Sequence, residues 1–245
     1  MPLDLLIIVA HPDDESYGVG GTIAEYTRTG RRVGLITLTH GGNGRTLGLC
    51  SQEELIHLRE AELRSSVETL GIQEFRQYGY ADAAPPSRNT PGQVTVPGTF
   101  QGGLQDVPLQ DMIDRAAQDL LEWQPRVVVT FAPDGSNRHP DHIVSHRVAV
   151  GALERTGLLG TTTSLFYFAS PTLTNPDWAD TYRPPTHARD VTRDLVTKLK
   201  AIACHRTQAL STVDFFRRVP ERIVTEYFRR ANPEWHSSEM GSELE

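Results

Sequence analysis

Apolar residues along the chain follow two rhythms. Leu3 to Ala10, broken only by Asp4, then Val33 to Thr39 and Val127 to Phe131, are near-continuous apolar runs. Such runs suit strands covered on both faces, as in a parallel sheet. Between them the spacing turns helical. Leu55, Leu58, Leu63, Val67 and Leu70 recur on one face of a segment that opens with a Ser51/Glu54 capping box and ends at Gly71. Leu109 to Trp123 predicts another helix, as does Pro140 to about Arg155, with its proline at the tolerant first position. Gly18, Gly20 and Gly21 are expected to lead into a short helix, Thr22 to Thr29, closed by Gly30. Strand, helix and strand within the first forty residues form a right-handed βαβ unit. Phe75 to Tyr80 and Leu165 to Ala169 read as further strands, and Val191 to His205 and Val213 to Arg230 as helices. Pro171 to Pro185 reads as irregular, and Asn232 to Glu245 as a frayed polar tail. Residues 84–108 hold five of the sixteen prolines and read as a loop excursion. The class predicted is α/β, with a mostly parallel sheet sandwiched by helices. Neither a repeat nor a compositional break divides the 245 residues, so one domain is expected.

Charge narrows the partners. The chain has 24 basic and 31 acidic residues and a net charge of −7, which argues against nucleic acid. The two cysteines, Cys50 and Cys204, form no CxxC pair, so thiolate zinc sites are excluded and a disulfide framework is not expected. The N-terminus lacks the pattern of a signal peptide, and no apolar run approaches the ~20 residues that span a bilayer. A cytoplasmic protein without a membrane partner is expected. Assembly as a homo-oligomer stays open, since no apolar stripe demands it.

Two polar clusters carry the chemistry. His11-Pro12-Asp13-Asp14-Glu15 follows the first strand, and His139-Pro140-Asp141-His142 follows the strand at Val127 to Phe131. Ligand sites in open α/β sheets lie at carboxyl ends of strands. Charge buried there is costly without a partner, and a divalent cation would be one. Two imidazoles and a carboxylate leave a coordination position for water, which a metal turns into a nucleophile near neutral pH. Asp13 and Asp14 offer one ligand and one free base, and the two histidines of the second cluster one ligand and one donor. Taken singly, each His-Pro-Asp is also an ordinary turn sequence. Dinucleotide binding is disfavoured, because Gly18-x-Gly20-Gly21 does not match GxGxxG and lies too far past the strand.

The paired motifs HPDDE and HPDH are similar to the signatures of the LmbE-like, or PIG-L-like, metal-dependent de-N-acetylases. The resemblance extends to Gly20-Gly21-Thr22-Ile23, Arg59-Glu60-Ala61-Glu62 and Gly79-Tyr80-Ala81-Asp82. The loop Gly41 to Gly48 looks closest to the bacillithiol-biosynthesis branch. The resemblance implies a Rossmann-like, LmbE-like fold over a single domain and a zinc enzyme that removes acetyl from an N-acetylglucosamine conjugate, with N-acetylglucosaminyl malate as the finer expectation. Carried over, His11, Asp14 and His142 would hold the metal and Asp13 would be the base. His139 would act as acid or oxyanion donor, oriented by Asp141, and Arg59 and Asp82 would contact an amino-sugar substrate. Arg59 reads equally as an exposed helix arginine in i,i+4 pairs. Where some relatives carry a tyrosine two residues before the second motif, Asn137 stands here.

Zn2+ is the expected cofactor, with Fe2+ also suited to such ligands. Two rivals are an amidase acting on thiol S-conjugates and a metal-binding protein without catalysis. The free carboxylate implied beside the metal argues against the second. His40 and His205 are kept as pocket residues, and His57 and His146 as packing or surface residues.

Overall fold

A computed structural model describes residues 1–84, 101–173, 175–232, 237 and 239–245. Most of the expected 84–108 excursion, residues 85–100, lies outside the described residues. The strands are β1 (Leu5–Val9), β2 (Val33–Thr39), β3 (Glu74–Tyr80), β4 (Val127–Thr130), β5 (Ser164–Phe168), β6 (His187–Asp190) and β7 (Thr225–Asn232). They form one sheet in the order β3-β2-β1-β4-β5-β7-β6. The first five are parallel, and β7 runs antiparallel between β5 and β6.

The strand run at β1 shows why the sheet must be covered on both sides. Leu5, Ile7 and Val9 enter one apolar core, Leu6 and Ile8 the other. The first core is closed by α1 (Asp14–Arg28), α2 (Leu55–Leu70) and α5 (Leu195–Cys204), the second by α3 (Leu109–Trp123) and α4 (Pro140–Thr156). A sixth helix, α6 (Ala209–Arg218), lies after α5. The α/β expectation is met. Strand order reverses between β1 and β4, and in such sheets the crevice above that point receives ligands. Both motif clusters sit there, each just past its strand. Among the described residues no helix is long and apolar enough to cross a membrane.

Three expectations are corrected. Helix α1 begins at Asp14, directly on the first motif, and contains the glycines. These allow close packing: a Cβ on Gly21 would run into Val191, and one on Gly18 would come 2.9 Å from Phe168. Glu226 accepts the N–H groups of Gly21 and Thr22 within the helix, both at 2.8 Å. The helix expected over Val213 to Arg230 is instead α6, a 3-10 turn at Pro220–Ile223 and strand β7. Pro220 cannot continue a helix, and pairing to two strands supplies the hydrogen bonds of β7. Finally, the end of the tail is docked. Leu244 is buried, its carbonyl accepts the Tyr26 hydroxyl at 3.1 Å, and Arg189 binds the Ser242 carbonyl and Glu243.

Candidate metal centre

Local chain geometry at the first motif frees one carboxylate and directs the other. Asp13 precedes α1 with φ 131°, a conformation L residues rarely adopt. Such a conformation costs roughly 1–3 kcal/mol unless its surroundings fix it. Here Glu15 Oε2 accepts the Asp13 N–H at 3.0 Å, and the Asp13 carbonyl accepts Ser16 Oγ at 2.8 Å. Glu15 is itself fully buried, and its Oε1 takes His205 Nε2 at 2.7 Å and Ser66 Oγ at 2.6 Å. A helix-capping aspartate ordinarily turns its carboxylate onto the helix N–H groups. Asp13 makes no such bond and keeps its carboxylate for the crevice, with Arg59 Nη2 3.7 Å from Oδ2. Burial pushes Asp13 up to about 7, against the pull of the Arg59 guanidinium.

The structure brings His11, Asp14 and His142 together across 131 positions. His11 Nδ1 stands 3.2 Å from His142 Nε2, and Asp14 approaches them at 3.6 Å and 3.5 Å. The opposite ring nitrogens are anchored. His11 Nε2 lies 3.2 Å from Asp141 Oδ2, and His142 Nδ1 lies 3.1 Å from the Gly135 carbonyl. Those acceptors place the ring protons on the outer nitrogens, so two lone pairs face each other across 3.2 Å beside a carboxylate. Metal-binding histidines are held in this way, by a carboxylate or carbonyl on the far nitrogen. Without a metal a proton is the only cation to hand. Burial lowers the His11 imidazolium, but Asp14 and Asp141 outweigh it and carry the group up to about 10. Burial holds His142 down to about 4. Against the push of burial, His142 and His11 keep the Asp14 carboxyl well below the usual carboxylate range. The donor set therefore fits a divalent cation.

His139 joins the same cluster, its ring 4.7 Å from that of His11 and 4.9 Å from that of His142. Three histidines, His11, His139 and His142, hence offer nitrogens within 4.8 Å of one another as an alternative ligand set. The set with Asp14 is tighter. His139 Nδ1 also accepts the Asp141 N–H at 3.2 Å, which leaves the proton on Nε2 and makes the ring a donor. Burial lowers the pKa of His139 strongly, with His11 and His142 adding to it, so the ring is neutral.

Asp141 reaches His139 through its backbone N–H, and its fully buried carboxylate also serves His11 and accepts the N–H groups of Ala83 at 2.7 Å and Leu104 at 2.9 Å. Ala83 and Leu104, on the two sides of the excursion, are thus pinned on one carboxylate behind His11. Arg59 is no exposed helix arginine: it is 3% exposed, and its guanidinium donates to the carbonyls of Pro12 and Gly41, the latter at 2.8 Å. Both oxygens of Asp82 accept the Asn43 N–H, at 3.0 and 3.1 Å, so this carboxylate holds the Gly-rich loop. His205 lies behind Glu15, and His146 packs under β4 with Nδ1 3.0 Å from the Phe131 carbonyl. Glu15 went unassigned from sequence, although its helical spacing to buried Val19, Thr22 and Tyr26 marks an acid on a buried face.

Comparison with known proteins decides the family. Residues 6–153 match the family described as PIG-L: GlcNAc-PI de-N-acetylase. The chain belongs to this family. The 1D-myo-inositol 2-acetamido-2-deoxy-alpha-D-glucopyranoside deacetylase of Mycobacterium sp. (strain KMS) is 35% identical over 158 residues, covering 62% of this chain and 50% of that protein. The chain thus spans about half the length of the curated relatives it matches. Among solved structures, the N,N'-diacetylchitobiose deacetylase of Pyrococcus horikoshii aligns with TM-score 0.68 and 20% identity over 93% of this chain and 83% of that one. GalB, the 4-carboxy-2-hydroxymuconate hydratase of Pseudomonas putida KT2440, aligns with TM-score 0.69 and 18% identity over 97% and 99%. These likenesses establish the LmbE-like fold. Since a hydratase shares it, the PIG-L fold alone does not choose the reaction. The Mycobacterium relative's name carries an inositol, so the bacillithiol-branch expectation takes no support from it.

Proposed function

We propose that this PIG-L family member is a metal-dependent N-deacetylase of N-acetylglucosamine conjugates. The observation that carries the reading is the inward-facing pair, His11 Nδ1 and His142 Nε2, 3.2 Å apart beside Asp14. The relatives' acetamido-sugar names support the substrate class. Zn2+ is the proposed ion, with Fe2+ the alternative for two histidines and a carboxylate. When bound by His11, Asp14 and His142, the ion would polarise the acetyl carbonyl and lower the pKa of water to near 7.

The remaining work belongs to the chain's own groups. Asp13, free of capping bonds, takes the proton of the attacking water at its carboxylate. His139 donates a hydrogen bond from Nε2 to the developing oxyanion, and the proton taken up by Asp13 passes to the departing nitrogen. Asp141 keeps His11 turned inward. Arg59 and Asp82 order the loops at Pro12, Gly41 and Asn43, and we assign them to positioning the substrate walls. Both cysteines are free, which fits the reducing cytoplasm.

Acetate release by the metal-loaded protein tests the reading. N-acetylglucosaminyl malate and N-acetylglucosaminyl inositol are compared with an S-conjugate amide, and one or both amino sugars are expected to turn over. The malate conjugate is our finer proposal, and a preference for inositol would replace it. A protein that binds zinc yet releases no acetate from any conjugate would remove the deacetylase reading. Metal analysis after anaerobic purification separates zinc from iron.

A further inference from the structure

Next to the metal centre lies a cavity of about 490 Å³. It shares a wall with the centre. The loop Ala132 to Ser136 lines the cavity, and Gly135 in that loop holds His142. Phe168, another lining residue, stands edge-on to Phe131 at 5.3 Å, and the Phe131 ring stacks on His142 at 3.9 Å. The aromatic residues Tyr167, Phe168, Trp178 and Tyr182 line it, as do three arginines, Arg183, Arg222 and Arg229.

The charges there do not balance. Arg183 binds the carbonyls of Asp180 and Tyr182, and Arg229 binds that of Pro184. Two carboxylates line the cavity. Asp134 accepts the Ser136 N–H, and Asp180 pairs with Arg138 at 3.1 Å. Arg222 has neither kind of partner. Among the described residues no carboxylate lies within 4.0 Å of its guanidinium, and its buried Nε makes no hydrogen bond. The nearby Glu226 is taken by Lys198 and helix α1. Burial pulls the Arg222 pKa down against the more distant charges of Glu226 and Glu221, and its guanidinium lies 5.3 Å from the Phe215 ring. A distant ring is weak compensation for a guanidinium partly removed from water. Arginine in an aromatic-walled pocket is the ordinary means of gripping a planar or tetrahedral anion.

We propose that this cavity is an anion-binding subsite centred on Arg222, which takes a carboxylate or phosphate on the substrate's aglycone while the aromatic walls hold its body. The inference rests on the deacetylase reading, since the cavity adjoins the metal centre through Phe131 and Gly135, which both contact His142. It makes Arg222 a specificity-determining residue.

The test uses the metal-loaded protein and three N-acetylglucosaminides: phenyl, 4-carboxyphenyl and 4-phosphophenyl. The wild type is expected to favour at least one anionic aglycone over phenyl by about tenfold or more in kcat/KM, and the two anionic arms separate carboxylate from phosphate. In Arg222→Met that ratio should fall to about one. Binding of benzoate and phenyl phosphate, measured by calorimetry, should weaken in the same variant by a similar factor. Should the methionine variant lack a cooperative melt, Arg222→Gln replaces it with the same expected result. An aglycone preference and anion affinity unchanged by either substitution overturns the subsite. If no glucosaminide is hydrolysed while anion binding still depends on Arg222, the subsite stands and the deacetylase reading falls.

Discussion

Two buried clusters of charge touch α1, one at its middle and one at its first residue, and they are built oppositely. In one, Lys198 donates to Glu226 at 2.9 Å and to the Arg222 carbonyl at 2.8 Å, and Glu226 also accepts from Gly21, Thr22 and the Thr22 hydroxyl. Every group there has a partner, and the cluster ties α1, α5 and β7 together. In the other, His11, Asp14 and His142 are anchored on their outer sides and turn lone pairs inward. Burial of charge alone therefore does not mark a site. What marks it is that the outer sides are satisfied by fixed partners while the converging sides have no partner but one another.

The largest effects should come from the converging cluster. Asp13→Ala is expected to keep the metal and lower turnover by about 10²–10⁴-fold, whereas His142→Ala should lose metal and turnover together. Metal content and acetate release, measured on the same preparations, check the split. An Asp13→Ala protein working at the wild-type rate would break it. The saturated cluster should respond in stability instead. Lys198→Met leaves Glu226 buried without its cation and should cost about 3–5 kcal/mol in urea unfolding, with metal content per folded molecule unchanged. A variant as stable as wild type would erase the contrast.

Asp141 sharpens the comparison, because it acts on the metal only through His11 and the two sides of the excursion. Asp141→Asn should weaken metal affinity by about 10–100-fold, as seen when the partner of a ligating histidine is altered. Competition with a chelator reads this directly. An affinity equal to wild type would mean that Asp141 holds only Ala83 and Leu104.

How much of this could be read from sequence follows the range of the interactions. Strand β1 and the acids after it were legible, since a continuous apolar run and the motif at its end are local facts. The reciprocal Ser51/Glu54 bonds were also legible and both form, at 2.9 and 3.3 Å, although α2 begins at Leu55 with Glu54 at its N-cap. The start of α1 was misread because Gly18, Gly20 and Gly21 look like a loop, whereas close approach of the distant Phe168 and Val191 requires small residues inside the helix. Strand β7 was misread because β5 and β6 impose its conformation, overriding helical spacing. The motif also tied Asp141 to its neighbour His139, but the second partner of Asp141, His11, lies 130 positions distant. Arg59 looked exposed because its acceptors are carbonyls, which leave no trace in composition. The family motifs located the site, but only the fold assigned each outer partner.

The smallest expected effect concerns a third buried group, far from a lone-pair cluster. His187 in β6 is 1% exposed, edge-on to Phe166 at 5.0 Å. Burial, then the charges of Arg230 and Arg189, push it from 6.5 down to about 4. A histidine whose folded pKa is depressed binds its proton in the unfolded chain first. Its contribution is therefore neutral to folding above about pH 6.5 and becomes destabilising as pH falls toward 4, at no more than about 1.4 kcal/mol per pH unit. Replacing it by a residue that does not titrate, His187→Gln, should flatten the decline of stability with acid in that window, while metal content at neutral pH stays as in wild type. Equal slopes for the two proteins would show that cationic neighbours around a buried imidazole leave folding unaffected, and that a histidine facing guanidiniums is no more sensitive to acid than an exposed one.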